Sequence, residues 1–521
     1  MGDYWKVWVL TLFFIASVLF IVMDFAPYLH IDEFTIVELG RIIFQPTTSW
    51  SIAWGVPRDL PAINIFYIGA IFQELSFQAL GVLGPRLSGI TGALVSATIL
   101  FGWLIKRGTS RQAAYVLSIV FLLDPIFVQA HTMGRLDGWA LAFVFLSCLS
   151  LREANVTLEG NRRYIGCFIL AGFSAIFSVF IWPSAALLFP LILLELLVVT
   201  WGMNNNYNTR RITSIFLFSL GGILALIIVV LPLIPLLTNS SLHILEGIIL
   251  NLYSAATKED DAFSSRFLDS VLTMLRTLKF SPFLVVFSII ATVITRNIKL
   301  AIATLLVVGV LLFSLVYLHR VIYLLPYMIL AISEMYPRSY EIKRITKTFS
   351  FRALGLGILI GWSLFVSLFG RTFLSWELRR EDSRNLILSA AKNMIGIGNH
   401  SVYLPGPEFY YAGRELGWEM YRPYAAHGDT LSPTMLANII PRVDYVVMPF
   451  WEEDEVFNKL FAKEGFIDKG WYHLYDEQEE VPAVESNNIA RMRNLFFIHP
   501  KAYGPYKLYE KGTAVERKIQ Q

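Results

Sequence analysis

Long apolar runs broken by short polar turns dominate the first 370 residues of the chain. Runs of about 17–25 residues can cross a bilayer as helices. The pattern predicts eleven of them, at about 5–23, 85–105, 112–130, 137–151, 164–180, 184–199, 213–237, 282–295, 300–318, 321–336 and 353–370. The first run has the look of a signal peptide, but no small-residue cleavage site follows and Asp24 comes at once, so it reads as a retained helix. Three regions fall outside this pattern. Residues 24–84 form a long first loop with two amphipathic stretches, 33–45 and 62–80, each a candidate for a helix lying in the membrane interface. Residues 238–281 form a second loop. Residues 371–521 alternate helix-like and strand-like stretches: 376–394, Ser401–Leu404, Val443–Met448, 452–464 and Trp471–Tyr475. Such alternation predicts a small α/β layer domain.

Charge gives this pattern a direction. With the N-terminus inside, the five inner segments (106–111, 152–163, 200–212, 296–299 and 337–352) total 51 residues and hold 15 Lys and Arg. The outer segments total 123 residues and hold 8. Basic residues favour the cytoplasmic side, so both large loops and the C-terminal domain are expected outside the cytoplasm. Composition agrees with a membrane protein. The chain is 55% apolar and 16% charged, against about 25% charged in a soluble domain. The net charge of +3 is too small to point to nucleic acid. The two cysteines, Cys148 and Cys167, sit inside apolar runs and offer neither a disulfide framework nor metal spacing.

Charged groups beside hydrocarbon are costly and usually have a purpose. Four clusters fall at the outer ends of the predicted spans. His30-Ile31-Asp32-Glu33 follows the first span; its carboxylates suit a general base with an orienting neighbour, or begin an ordinary solvated loop. In His131-Thr132-Met133-Gly134-Arg135-Leu136-Asp137, Arg135 and Asp137 are spaced to pair with each other or to support the first loop, and Asp124-Pro125 is read as the end of the third span. His319-Arg320, with Tyr323 and Pro326, lies in a very short outer connection. The rigid guanidinium fork there suits bidentate phosphate binding, or snorkels to lipid headgroups. Lys258, Arg266, Arg276 and Lys279 in the second loop offer further phosphate contacts or make a basic interfacial helix. In the C-terminal domain, Tyr410, Tyr411, Arg414, Trp418 and Tyr421 are read either as a glycan-binding surface or as an aromatic core.

The order of these features resembles the GT-C glycosyltransferases, in the branch that holds protein O-mannosyltransferases and lipid A aminoarabinose transferases. The residues that carry the resemblance are Asp32-Glu33 after one span, Asn64-Ile65-Phe66-Tyr67, Gly84-Pro85-Arg86-Leu87, Lys106-Arg107, Asp124-Pro125 and Gly134-Arg135-Leu136-Asp137. It returns at His319-Arg320-Val321-Ile322-Tyr323, which is similar to that branch's His-x-Arg-Tyr-type motif before a late span. The resemblance implies an α-helical polytopic membrane protein, GT-C-like, of about eleven spans with a C-terminal α/β domain. In domain terms, 1–370 form the membrane part with outer loops 24–84 and 238–281, and 371–521 the extracytoplasmic domain.

The implied activity is transfer of a sugar from a polyprenyl-phosphate carrier to a glycan, lipid or protein acceptor on the non-cytoplasmic face of a bacterial or archaeal plasma membrane. The implied roles are Asp32 as the base with Glu33 beside it, and Arg135 and Asp137, with His131, in support. Arg320 with His319 or Tyr323 is implied to hold the donor phosphate, with Lys258 and Arg266 as further contacts. No cofactor is expected. A divalent cation could assist, but the sequence shows no metal-ligand spacing, and no metal site is expected. One departure stands out: Phe34-Thr35-Ile36 follows the acidic pair, unlike the runs in either branch, so neither sugar nor acceptor carries over. The competing readings are a transporter or flippase for lipid-linked sugars and a non-catalytic assembly protein. A transporter would favour internal repeats and paired broken helices, which the sequence does not display.

Overall fold

The computed structural model describes residues 2–24, 31–44, 67–156, 162–201, 208–231, 263–313, 318–338, 351–373, 383–406, 408–421, 439–449, 455–473 and 505–512. The chain divides into two compact units, Met1–Asp24 with Ala62–Trp376, and Phe25–Pro61 with Glu377–Gln521. The sequence reading placed 24–84 with the membrane part. The structure groups Phe25–Pro61 with the C-terminal segment.

In chain order the helices are α1 Gly2–Asp24, α2 Ile31–Phe44, α3 Tyr67–Leu80, α4 Gly84–Lys106, α5 Arg111–Leu122, α6 Pro125–Thr132, α7 Asp137–Val156, α8 Arg162–Ile181 and α9 Phe189–Trp201. There follow α10 Asn208–Val230, α11 Phe263–Leu278, α12 Pro282–Thr295, α13 Ile298–Phe313, α14 Leu325–Ser333, α15 Phe351–Ser363, α16 Ser383–Met394, α17 Tyr410–Leu416 and α18 Glu455–Lys463. Among the described residues each predicted apolar run falls on helix, with the run at 321–336 starting in a 3-10 turn. By length and composition six helical stretches can cross a membrane, or eight with two bent pairs. The three predicted runs beyond these are α7, which carries Asp137, Arg152 and Glu153, and the shorter apolar helices Ile298–Leu312 and His319–Ser333. The protein is thus a polytopic helical membrane protein with a C-terminal sheet.

Three bends set the shape of the membrane unit. The first lies between α3 and α4. A rise of about 1.5 Å per residue would carry Gly84 about 12 Å along a straight axis from Ser76. Instead, a Cβ added at Gly84 would collide with the Ser76 carbonyl oxygen. The chain therefore folds back at Gly81–Leu83, and α3 packs on α4 as a separate helix. The second bend, of 55°, separates α5 from α6. Pro125 has no N–H to donate and stands at the first position of α6, where that loss costs nothing. Asp124 caps the new helix by accepting from the Ile126 N–H at 3.0 Å and also accepts from Ser281 Oγ at 2.5 Å. The sequence pattern ended a span at Asp124-Pro125; the structure turns one there and continues it. The third bend, of 104°, sets α11 nearly across the axis of α12. Phe267, Leu268, Leu272 and Leu275 are exposed on α11, which carries Arg276 in its last turn. That is the form of an interfacial helix.

A polar knot closes one end of the bundle. Arg107 pairs with Glu195 and, at 3.1 Å, with Glu334; Arg152 also reaches Glu195. Lys106 and Arg163 share Glu153, each at 2.5 Å. Glu195 is fully buried inside an apolar run. A carboxylate there needs charged partners to offset its lost hydration, and the two arginines supply them from α4 and α7.

In the second unit the sheet order is β2-β1-β3-β5-β4. The strands are β1 Ser401–Tyr403, β2 Glu419–Tyr421, β3 Tyr445–Pro449, β4 Phe466–Tyr472 and β5 Tyr506–Lys511. β1 lies parallel to both β2 and β3, while β5 runs antiparallel to β3 and β4. β2 and β5 are additions to the predicted elements. β2 is three residues long, too short to show a period of two clearly. Helix α2 forms as the amphipathic pattern predicts, but Phe34, Ile36, Val37 and Leu39 are buried within the protein rather than turned to a membrane surface.

Candidate functional site

The polar centre of the membrane unit is the turn between α6 and α7. Its position follows from small residues. Gly134 has φ +68°, a left-handed conformation in which a Cβ is strained, and it ends α6 sharply. Gly138 lies against the backbone of α4: a Cβ placed on it would stand 2.6 Å from the Ala93 nitrogen. Gly92 faces Trp139 as closely, and Trp139 Nε1 donates to the Ser88 carbonyl at 3.0 Å. α4 and α7 therefore meet backbone to backbone at the start of α7. Gly138→Val is expected to force them apart, at about 1–3 kcal/mol for overpacking. A lower midpoint of thermal inactivation in detergent, with a normal level of insertion, is the measurement that checks this.

At that turn Arg135 Nε donates to Asp137 Oδ2 at 2.8 Å, and Tyr323 Oη donates to Asp137 Oδ1 at 2.9 Å. Asp137 and Tyr323 are fully buried, and Arg135 is 5% exposed. The Arg135 guanidinium also lies 5.2 Å from the centroid of the Trp182 ring, a cation–π contact. Gln73 of α3 donates to the Gly134 carbonyl. Just before the turn, Arg371 donates to Gln129 Oε1 at 2.7 Å and to Thr132 Oγ1 at 2.8 Å. Asp137 thus unites two of the predicted motifs, Arg135-Leu136-Asp137 and the Tyr323 end of His319–Tyr323. The segment holding His319 and Arg320 is a 3-10 turn, Leu318–Leu324, in which both residues are half-buried. This polar group and the knot around Glu195 stand at opposite ends of α7. Asp137 and Arg152 are separated by about 22 Å along its axis at 1.5 Å per residue.

His131 is fully buried, with its ring edge-to-face to Phe127 at 5.2 Å. Among the described residues it makes no hydrogen bond to Arg135 or Asp137. Lys258 lies outside the described residues, as do the side chains of Asp32 and Arg266. Asp32 occupies the first turn of α2. Its neighbour Glu33 is fully buried and accepts from Tyr411 Oη at 3.2 Å. One turn on, Glu38 takes a hydrogen bond from Tyr410, pairs with Arg41 at 3.2 Å and stands 3.6 Å from Arg414. Burial, and then the nearby Glu38, raise the Tyr410 phenol well above its ordinary value. It stays protonated, and a hydrogen-bond donor, through the neutral range. Tyr410, Tyr411, Trp418 and Tyr421 are all buried. Among the described residues no three His, Cys, Asp or Glu side chains come together as a metal site would require.

The sequence reading passed over Gln73, Gln129, Trp182, Glu195 and Arg371. Glu195 carried a legible signal, a lone carboxylate deep in an apolar run, which must find a cation. Arg371, next to the last apolar run, carried a weaker one. Gln129 and Trp182 carried none, since a glutamine or tryptophan near a span end is common.

The whole chain is similar to solved structures of ArnT, a lipid A aminoarabinose transferase of the GT-C type, from Cupriavidus metallidurans. The structure of that protein bound to undecaprenyl phosphate aligns over 98% of this chain and 98% of its own, with a TM-score of 0.56 and 11% identity. Its apo structure aligns over 90% and 96%, with a TM-score of 0.50 and 12% identity. No protein-family model matches the sequence, and no curated protein matches it. The chain has the GT-C fold, and the fold resemblance read from its sequence holds.

Proposed function

We propose that this protein is a GT-C glycosyltransferase of a bacterial plasma membrane. It moves a sugar from a polyprenyl-phosphate carrier to an acceptor hydroxyl or amine on the non-cytoplasmic face. The observation that carries the reading is the likeness of fold, over nearly the full length of both chains, to a transferase crystallised with undecaprenyl phosphate. The buried Arg135–Asp137–Tyr323 group supports it, because it joins two motifs that the sequence resemblance had picked out separately.

The chemistry asks for few groups. The leaving group is a phosphate, already a stable anion, so it needs charge stabilisation more than protonation. Arg320 supplies that charge, aided by the basic residues of the second loop, Lys258 and Arg266. Tyr323 closes the same 3-10 turn and bonds to Asp137, so the position of Arg320 is coupled to the turn before α7. Asp137 and Arg135 are positioning residues in this scheme. Asp32 is the general base, taking the proton of the acceptor as its oxygen or nitrogen bonds to the anomeric carbon and the sugar–phosphate bond breaks. One such displacement inverts the anomeric centre.

The direct test is to incubate purified protein with a labelled polyprenyl-phosphate sugar and to measure transfer or release of the label. Release to an acceptor supports the enzyme. Movement of intact labelled donor across a proteoliposome membrane, with no release, would instead identify a flippase. Arg320→Ala is expected to raise the KM for the lipid-linked donor about 10- to 100-fold, the loss of a charge-assisted bidentate contact worth about 1.5–3 kcal/mol. Unchanged donor dependence would reject the phosphate role of Arg320.

A further inference from the structure

We infer that Tyr410, Tyr411 and Arg414 of α17 are positioning residues for the transfer reaction, fixing the rotation of α2 through Glu33 and Glu38. This rests on the proposal that Asp32 is the base. Several independent contacts join the two helices. Tyr411 Oη donates to Glu33, Tyr410 Oη donates to Glu38, and Arg414 stands 3.6 Å from the same Glu38 carboxylate. Arg414 Nη1 also donates to Tyr410 Oη at 3.2 Å, which aims the phenol. The Phe34 and Tyr410 rings pack at 5.2 Å. Glu33 and Glu38 are at most 2% exposed.

Apolar packing alone would hold α2 against α17 with less control over its rotation. A hydrophobic face of Phe34, Val37 and Leu39 tolerates small turns about the helix axis, because dispersion and burial have little direction. Hydrogen bonds to two buried carboxylates on successive turns do not. Asp32 immediately precedes Glu33 in the helix, so whatever fixes the angle at Glu33 also fixes the backbone of residue 32. Side chains reach about 5–6 Å from that axis. A rotation of about 20° moves any group carried at that radius by about 2 Å, and a misplacement of about 1 Å can cost about 100-fold in rate. Two buried acids also carry a desolvation cost that a purely structural contact between two small helices could avoid with apolar residues. On this reading the C-terminal sequence contributes to catalysis by holding the acid-bearing helix.

The test uses the full-length protein in detergent or proteoliposomes with labelled donor. Tyr411→Phe keeps the ring and removes one hydroxyl. It is expected to lower kcat about tenfold with the donor KM as in the wild type, while the thermal inactivation midpoint falls only as far as the loss of one hydrogen bond requires. Arg414→Gln is the second variant, with the same split between kcat and KM expected. Combining Tyr411→Phe with Glu33→Ala should lower kcat no further than the worse single change, because both remove one coupling. Wild-type kcat in folded Tyr411→Phe and Arg414→Gln, or strictly additive losses in the double variant, would overturn the inference and leave α17 a packing element. Absence of transfer by the wild type, or full transfer by Asp32→Asn, would overturn the functional reading instead. The two failures are thus told apart.

Discussion

Asp32→Asn is expected to lower sugar transfer by about 100- to 10,000-fold, the usual contribution of a positioned general base. The carboxamide has nearly the same shape as the carboxylate and still accepts hydrogen bonds, but it does not take a proton at neutral pH. Membrane insertion, the thermal inactivation midpoint and binding of the lipid-linked donor should therefore be unchanged, and the loss should fall on kcat. A fall in kcat and kcat/KM together marks an interaction made in the transition state alone. Glu33 sharpens the test, since it sits one residue away and already accepts from Tyr411. If the base were Glu33, Asp32→Asn would keep transfer at the wild-type rate, and that single result would reject the assignment.

The second large effect is on stability. Asp137→Ala is expected to cost about 3–5 kcal/mol, because it removes a fully buried carboxylate that pairs with one buried side chain and accepts a hydrogen bond from another. Arg135 Nε would lose its partner at 2.8 Å and the fully buried Tyr323 hydroxyl its acceptor at 2.9 Å. The contact of Arg135 with the Trp182 ring would remain. The ranking of variants checks the mechanism. Asp137→Asn keeps an acceptor for Tyr323 but not the charge, so it should fall between the alanine variant and Tyr323→Phe. The last removes one hydrogen bond, worth about 0.5–1.5 kcal/mol net. Thermal inactivation of purified protein gives all three. A penalty below about 1 kcal/mol for Asp137→Ala would mean that Arg135 finds another partner, and that this pair does not organise the turn.

The fold was legible where burial follows from composition alone. Apolar runs of the right length became helices because a backbone in hydrocarbon must satisfy its own hydrogen bonds. The α/β character of the C-terminal sequence was legible from alternation, apart from β2 and β5. β5 inserts between β3 and β4 from far along the chain, and only tertiary contact reveals such a pairing.

Other features lay beyond any local pattern. Residues 62–80 had the periodicity of a surface helix, yet α3 folds back on α4 through a glycine contact that spacing does not announce. Asp124-Pro125 read as an end and proved to be a bend, because Ser281, 157 residues away, satisfies the aspartate there.

The sequence by itself determined that this chain lies in a membrane, which of its segments are helical and which few charged residues stand at the span ends. Those conclusions depend on the free energy of moving each residue out of water, a property of the residue and its near neighbours. Only the tertiary structure decided the partners. It gave Asp137 to Arg135 and Tyr323 together, Glu195 to two arginines, and Glu33 to a tyrosine 378 positions further on. A buried charge requires a partner. Nothing in its own segment says which, because the choice is made by whichever distant side chain the packed helices bring within hydrogen-bonding distance.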